Sequence, residues 1–248
     1  MNFDNVIKVR NNKTIYLDGD KCIKVFNADC AKSDVFNEAL NQARIEETGL
    51  NIPKVLEITT LDGKWAIISE YVKGKSLAEL MEENPEKKSE YLELLVDLQM
   101  NVHSKTSPLL NKLRDKMCRK IADSDFDATL RYSLHTHIQA MPKHNKVCHG
   151  DFIPSNVIIA EDGTPYILDW SHATQGNAAA DVVRTYLLFL LDGDSATADE
   201  YLELYCKKSG AEKQYVECWI PIVAAAHTTE GDDKEREFFA SFVNVNNK

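Results

Sequence analysis

The sequence predicts an α+β chain in two parts: a small β-rich N-terminal part, and a larger α-rich part with one inserted β-hairpin. Three observations carry this. Strand-like alternation with tight Asp-Gly turns is confined to the first seventy-odd residues and to residues 157–170. Apolar residues at helical spacing dominate the remainder. The 248 residues contain no internal repeat and no low-complexity linker, and they are enough to bury a substantial core.

Residues 13–26, KTIYLDGDKCIKVF, read as two strands joined by Asp18-Gly19-Asp20. A helix follows from Ser33 or Asp34, with Phe36, Leu40 and Ala43 on one apolar face and Gly49 as its stop. After Pro53, KVLEITTLDGKWAIISEYV forms a second hairpin turning at Asp62-Gly63. The order β-β-α-β-β defines an N-terminal domain of residues 1–72, and residues 73–248 form the second. Ser76-Leu77-Ala78-Glu79 has the form of a capping box. Three amphipathic helices follow, marked by Leu94, Leu95, Leu98 and Val102, by Leu110, Leu113, Met117 and Ile121, and by Phe126, Leu130, Leu134 and Ile138. Pro108 and Pro142 punctuate them. The segments VIIA and PYILDW then flank the turn Glu161-Asp162-Gly163-Thr164 as the inserted hairpin, and helices resume with DVVRTYLLFLL, interrupted at Pro221.

Composition narrows the function. A formal net charge of −10 argues against a nucleic-acid partner and is compatible with a cationic ligand. No apolar run approaches the roughly 20 residues of a membrane span, and MNFDNVIKVR lacks a signal-peptide core, so a cytoplasmic location is expected. The six cysteines are scattered without a C-x-x-C pair and read as reduced thiols. His135 and His137, two apart on a helix, face different directions. Tyr205, Tyr215 and Trp219 have the makings of an aromatic cage for an ammonium ion, but at helical spacing they read as core. Glu230, Asp232, Asp233, Glu235 and Glu237 read as a solvated face.

The chemistry concentrates in VCHGDFIPSNVII, Val147 to Ile159. Asp151 and Asn156 lie in the loop before the inserted hairpin, and Asp169 ends its second strand. A tight hairpin brings the start of one strand beside the end of the next, so Asn156 and Asp169 are expected to be neighbours. A carboxylate and an amide oxygen side by side suit Mg²⁺, which takes phosphate oxygens as further ligands. Asp151 is then placed to orient a hydroxyl and accept its proton. Each has a plainer use as well: Asp151 as a turn cap, Asn156 in its own loop, Asp169 at a strand end. Lys24 shares a strand face with Cys22 and Phe26, and Glu38 on the following helix is its natural partner. Such an ion pair can hold an ammonium group near a nucleotide. His149 reads as a structural donor within the loop.

HGDFIPSN (His149 to Asn156) followed by ILDW (Ile167 to Trp170) resembles the catalytic signature of the aminoglycoside phosphotransferase and choline kinase superfamily, small-molecule relatives of protein kinases, and the likeness covers nearly the whole chain. It implies a two-lobed protein-kinase-like fold that uses ATP, or GTP, with Mg²⁺. On that likeness Asp151 is the catalytic aspartate, Asn156 and Asp169 are the metal ligands, and Lys24 with Glu38 is the nucleotide lysine and its partner. Glu70, Tyr71 and Val72 match the segment linking the lobes and meet adenine through backbone groups. In GNAAAD, Asp181 matches the aspartate that braces the catalytic loop. The chain departs from protein kinases in having no glycine-rich loop between its first two predicted strands. Trp170-Ser171-His172 follows the metal aspartate, and no A-P-E-like segment lies downstream. An always-assembled enzyme is expected, acting on a hydroxyl-bearing small molecule, an aminoglycoside or amino sugar first, choline, ethanolamine or another metabolite second. A nucleotide-binding module without turnover is the alternative of a different class. Oligomeric state is not legible.

Overall fold

The computed structural model describes residues 5–10 and 12–243. The first four positions of the expected N-terminal domain, the last five of the C-terminal one, and Asn11 in Arg10-Asn11-Asn12-Lys13 lie outside the described residues. Along the chain come β1 (Val6–Val9), β2 (Lys13–Asp18), β3 (Lys21–Phe26), α1 (Lys32–Glu46), β4 (Val55–Leu61), β5 (Lys64–Glu70), β6 (Gly74–Ser76) and α2 (Leu77–Glu83). Then follow α3 (Lys88–His103), α4 (Leu113–Ala122), α5 (Ala128–Ala140), β7 (Lys146–Cys148), β8 (Val157–Ala160), β9 (Pro165–Ile167) and β10 (Thr174–Gly176). The last helices are α6 (Ala178–Leu191), α7 (Ser195–Ser209), α8 (Lys213–Glu217), α9 (Ile220–His227) and α10 (Asp233–Ser241). None of these helices is long and apolar enough to cross a membrane. Two compact units divide the chain: Met1–Glu86 with Pro154–Ala173, and Lys87–Ile153 with Thr174–Lys248.

In the first unit, five antiparallel strands take the order β1-β2-β3-β5-β4. Both expected hairpins form, and Asp62 and Gly63 take positive φ (47° and 77°), the geometry that a two-residue turn requires. Strand β1 was not expected; no glycine stands in the sequence between its last residue, Val9, and the first of β2, Lys13. Helix α1 reverses the anticipated face. Phe36 and Leu40 are 40% and 48% exposed, while Val35, Glu38, Ala39, Asn41, Gln42 and Ile45 are buried. The polar groups decide the rotation: Glu38 meets two lysines, and Gln42 donates to the Pro53 carbonyl. The outward Phe36 ring stands edge-on to Trp65 at 5.3 Å with Lys32 over both rings, so the apolar side is partly covered by its neighbours. Strands β6, β8 and β9 form a second sheet, and the capping box at Ser76 and Glu79 starts α2.

In the second unit the expected helical stripes bury Leu95, Val102, Met117, Ile121, Leu134 and Ile138, with Leu110 buried just ahead of α4. Phe126 precedes α5 rather than joining it. Pro221 does not break a helix; it lies in the first turn of α9, where its missing N–H has no intrahelical partner to lose. The C-terminal acids are more engaged than a solvated face implies. Asp232 and Glu235 close the capping box of α10, and Glu230 accepts from Lys120 at 2.6 Å. Tyr205 and Trp219 are buried, and Tyr215 accepts from Asn177 at 2.6 Å, which makes these aromatics structural.

Gly74 is the tightest point of the small sheet, because an added Cβ would fall well inside contact distance of the Ile159 carbonyl. The Gly74→Ala variant is expected to lose about 1–3 kcal/mol, as overpacking against a fixed backbone does. Thermal unfolding unchanged from wild type would contradict the β6–β8 register.

Candidate functional site

Antiparallel pairing sets Lys13 opposite Phe26 and Ile15 opposite Lys24. Residues two apart on one strand share a face, so Lys13 and Lys24 are diagonal neighbours on the face that α1 covers. Helical spacing places Glu38 within the buried stripe of α1. Lys24 Nζ donates to Glu38 Oε1 at 2.7 Å, and Lys13 Nζ reaches Oε1 at 3.1 Å and Oε2 at 2.9 Å. Both ammonium groups also approach Asp169 Oδ1, at 3.8 Å from Lys13 and 4.0 Å from Lys24. Burial works against the Lys24 charge, but Glu38 and then Asp169 outweigh it and hold its pKa above the ordinary lysine value. Burial likewise opposes the Glu38 carboxylate, and Lys24 and Lys13 still hold it below the usual range.

Asp169 has φ 62° and ψ 65°, a left-handed conformation that aspartate tolerates better than most residues. The residues around it hold that geometry. Trp170 is fully buried and donates from Nε1 to the Ile167 carbonyl at 3.0 Å. Ser171 Oγ donates to Asp169 Oδ1 at 3.1 Å, and Asn41 on α1 donates to the Ser171 carbonyl. The hairpin behaves as its spacing predicts: Leu168 N–H donates to the Asn156 carbonyl at 2.8 Å, one position from Asp169. Asn156 is buried and Asp169 half-buried. A carboxylate and an amide at these neighbouring positions are residue types that could hold Mg²⁺, which completes its shell with water and phosphate oxygens rather than an all-protein cage.

In the linking segment, Glu70 N–H donates to the Lys54 carbonyl and Tyr71 N–H to that of Asp20. The Glu70 carboxylate accepts from Lys54 N–H at 3.0 Å. Of the three candidate amides, Val72 N–H is the one these bonds do not use.

Asp151 belongs to the second unit. The loop before it is fastened by Asp181, buried in the first turn of α6. Asp181 Oδ1 accepts from Gly150 N–H at 2.6 Å; Oδ2 accepts from His149 N–H at 3.1 Å and lies 2.9 Å from His103 Nε2. Burial pushes the Asp181 carboxyl up, but the His103 bond and the neighbouring charges and amides win and hold it low. His149 shapes the loop by accepting at Nδ1 from Asp151 N–H at 3.2 Å, which leaves its ring proton on Nε2. Arg184, one turn beyond Asp181 on α6, brings Nη2 to 3.8 Å from Asp151 Oδ1. Its Nε and Nη1 are buried without a hydrogen-bond partner, with the guanidinium over the Phe239 ring at 5.3 Å.

Sequence reasoning missed Lys13 and Arg184. The alternation Lys13, Ile15, Leu17 was a usable signal for the first, since it carries the lysine onto an inward face. For Arg184 only the three-residue step from Asp181 pointed the way.

Comparison with known proteins follows the same direction. The model of the phosphotransferase enzyme family (APH) matches residues 10–217, and the chain belongs to that family. No curated protein matches the sequence. The apo form of a thermostable mutant of aminoglycoside phosphotransferase APH(4)-Ia superposes with a TM-score of 0.71 at 16% identity, over 97% of this chain and 92% of that one. A ternary complex of the same enzyme with AMP-PNP and hygromycin B gives 0.68 at 17% identity, over 97% and 91%. Choline kinase LicA from Streptococcus pneumoniae gives 0.62 at 12% identity, over 97% and 93%. At these identities the likeness establishes a kinase-like fold.

The Asp181→Asn variant tests the fastening of the loop. Replacing the carboxylate leaves donors facing an amide, with an expected loss of about 3–5 kcal/mol, as when one partner of a buried charged set is removed. Because the folded carboxyl titrates below its unfolded value, its contribution is complete above about pH 4 and is lost as pH falls further. Denaturant titrations from pH 7 to pH 3 should show that acid-dependent loss in wild type and a flatter profile in Asp181→Asn. Equal stability of the two proteins at pH 7 would show that Asp181 does not hold the loop.

Proposed function

We propose that the protein transfers the γ-phosphoryl group of ATP to a hydroxyl of a small molecule, with Mg²⁺. The observation that carries this is the Lys24–Glu38 ion pair, 2.7 Å long and 4.0 Å from the Asp169 carboxylate within one unit. In this reading Val72 N–H, with the backbone carbonyls of Glu70 and Tyr71, receives adenine, and Lys24, held extended by Glu38, meets the α- and β-phosphates. Asn156 and Asp169 hold Mg²⁺, which when bound with the nucleotide neutralises charge on the phosphates. Asp151 orients the acceptor hydroxyl and takes its proton as the oxygen–phosphorus bond forms and ADP departs. Positioning and charge neutralisation supply most of the acceleration. Residues 1–72 would carry the nucleotide contacts and 73–248 the catalytic loop, metal residues and acceptor contacts. A nucleotide donor places the reaction in the cytoplasm.

The amino-sugar acceptor expected from the sequence rests on the family likeness and on the chain's overall negative charge. A specific observation favours a second reading, an acceptor bearing an anionic group. Arg184 lies beside Asp151, and Lys116 and Lys120 stand within its electrostatic reach. Burial and the neighbouring Lys120 pull Lys116 down to about 8, so most of it is still charged at neutral pH. A cationic acceptor would have to bring its own ammonium to this cluster, with Glu230, Glu235 and the α6 C-terminal Asp192 among the nearby carboxylates.

Labelled ATP with Mg²⁺ and an acceptor panel tests the reaction: aminoglycosides, choline, ethanolamine, sugar alcohols, hydroxy acids, sugar phosphates and a generic protein. Transfer to one small-molecule class is expected, falling about 10²–10⁴-fold in Asp151→Ala, the span assigned to a positioned base. Nucleotide binding that is indifferent to Mg²⁺ and to Asp169→Asn, with no transfer, would instead identify a binding module.

A further inference from the structure

Glu38 has more cation than a single ion pair needs. Lys24 alone would give the arrangement implied for a nucleotide lysine, yet Lys13 makes both the second and third hydrogen bonds to the same carboxylate. Lys13 is 6% exposed, which is rare for a lysine. It lies over the Phe26 ring at 5.4 Å and points its ammonium to 3.8 Å from Asp169. We propose that Lys13 is a second phosphate-binding cation, contacting the outer phosphates of the nucleotide, a role that rests on the nucleotide site proposed above.

Two features of the site support this. The first is charge. In formal charge, Lys13 and Lys24 balance Glu38 and Asp169. Once Asp169 serves a divalent cation, the two ammonium groups face Glu38 alone. One positive charge is then in excess, held in a low-dielectric setting beside the metal carboxylate, where a phosphate oxygen is its natural counterpart.

The second is the loop. Lys13 is the first residue of β2, and Arg10, just after β1, donates its N–H to the Lys13 carbonyl at 2.8 Å. In a glycine-rich version of such a connection, backbone amides approach the phosphates closely because no Cβ intervenes. This connection has no glycine. A lysine side chain at its edge delivers the positive end that the backbone is less able to deliver.

The experiment is nucleotide affinity, measured by calorimetry with Mg²⁺ for AMP, ADP and ATP on the full chain. The proteins are wild type, Lys13→Met, Lys24→Met, Asp169→Asn and, as a charge control at the exposed end of β3, Lys21→Met. Methionine keeps an apolar stem over Phe26. Lys13→Met should weaken ADP and ATP by about tenfold or more, the value of one charge-assisted hydrogen bond, while AMP binding stays within twofold. Equal weakening of all three nucleotides, or none, in Lys13→Met while Lys24→Met loses affinity would reduce Lys13 to a structural counter-ion of Glu38 and overturn the inference. Unchanged affinity in Lys24→Met and Asp169→Asn as well would remove the nucleotide site itself, a different and distinguishable failure. If Lys13→Met does not fold, Lys13→Gln keeps a donor for Glu38 without the charge, and the same three-nucleotide comparison decides.

Discussion

A carboxylate taken out of water needs a cation, and the N-terminal unit is organised around giving Glu38 two. Desolvating such groups costs several kcal/mol per ion, recovered only when geometry is tight and every oxygen is engaged. Both Glu38 oxygens are engaged, by ammonium groups from two adjacent strands. This requirement rotates α1, turning Val35, Ala39 and Ile45 inward with Glu38 and leaving Phe36 and Leu40 outward. It also orders the sheet, because the lysines are diagonal neighbours only in the register that pairs Lys13 with Phe26. From the same helix Asn41 ties down the turn that presents Asp169.

The second unit solves the same problem, a buried carboxylate, with different donors. Asp181 is a buried carboxylate satisfied by two backbone N–H groups of the loop and by His103, and Tyr205 in turn meets His103 Nδ1 at 3.1 Å. The loop carrying Asp151 therefore takes its shape from α6. Thr185, one turn on, donates to the Phe152 carbonyl at 2.9 Å and fixes the loop on the other side of Asp151.

Much of this was legible in the residues. Asp-Gly turns declared the hairpins, and the thirteen-residue span between Asn156 and Asp169 foretold that a tight turn would align them. The pairing of Lys24 with Glu38 followed from a lysine between apolar strand neighbours and an acid on the next helix. The orientation of α1 was not legible, because counting apolar residues favoured Phe36, Leu40 and Ala43, whereas buried ion pairs and amides set the rotation. Strand β1 escaped notice because its four residues are all exposed and carry no alternation of burial. Lys13 was passed over as the opening residue of a strand, although the alternation Lys13, Ile15, Leu17 carries it inward, because a lysine there reads as solvated. Arg184 sat inside an apolar helix whose hydrophobic count masked its one basic residue.

The shared carboxylate also bears on how such a chain can change over generations. In a site with one lysine and one glutamate, loss of the lysine strands a buried negative charge, and the variant is removed before any other feature can be tried. Here Glu38 keeps a cation when either lysine is lost, so the strand that supplies the ammonium becomes exchangeable. Descendants of this sequence have a passable route for moving that duty between β3 and β2, one substitution at a time, with a folded protein at every step.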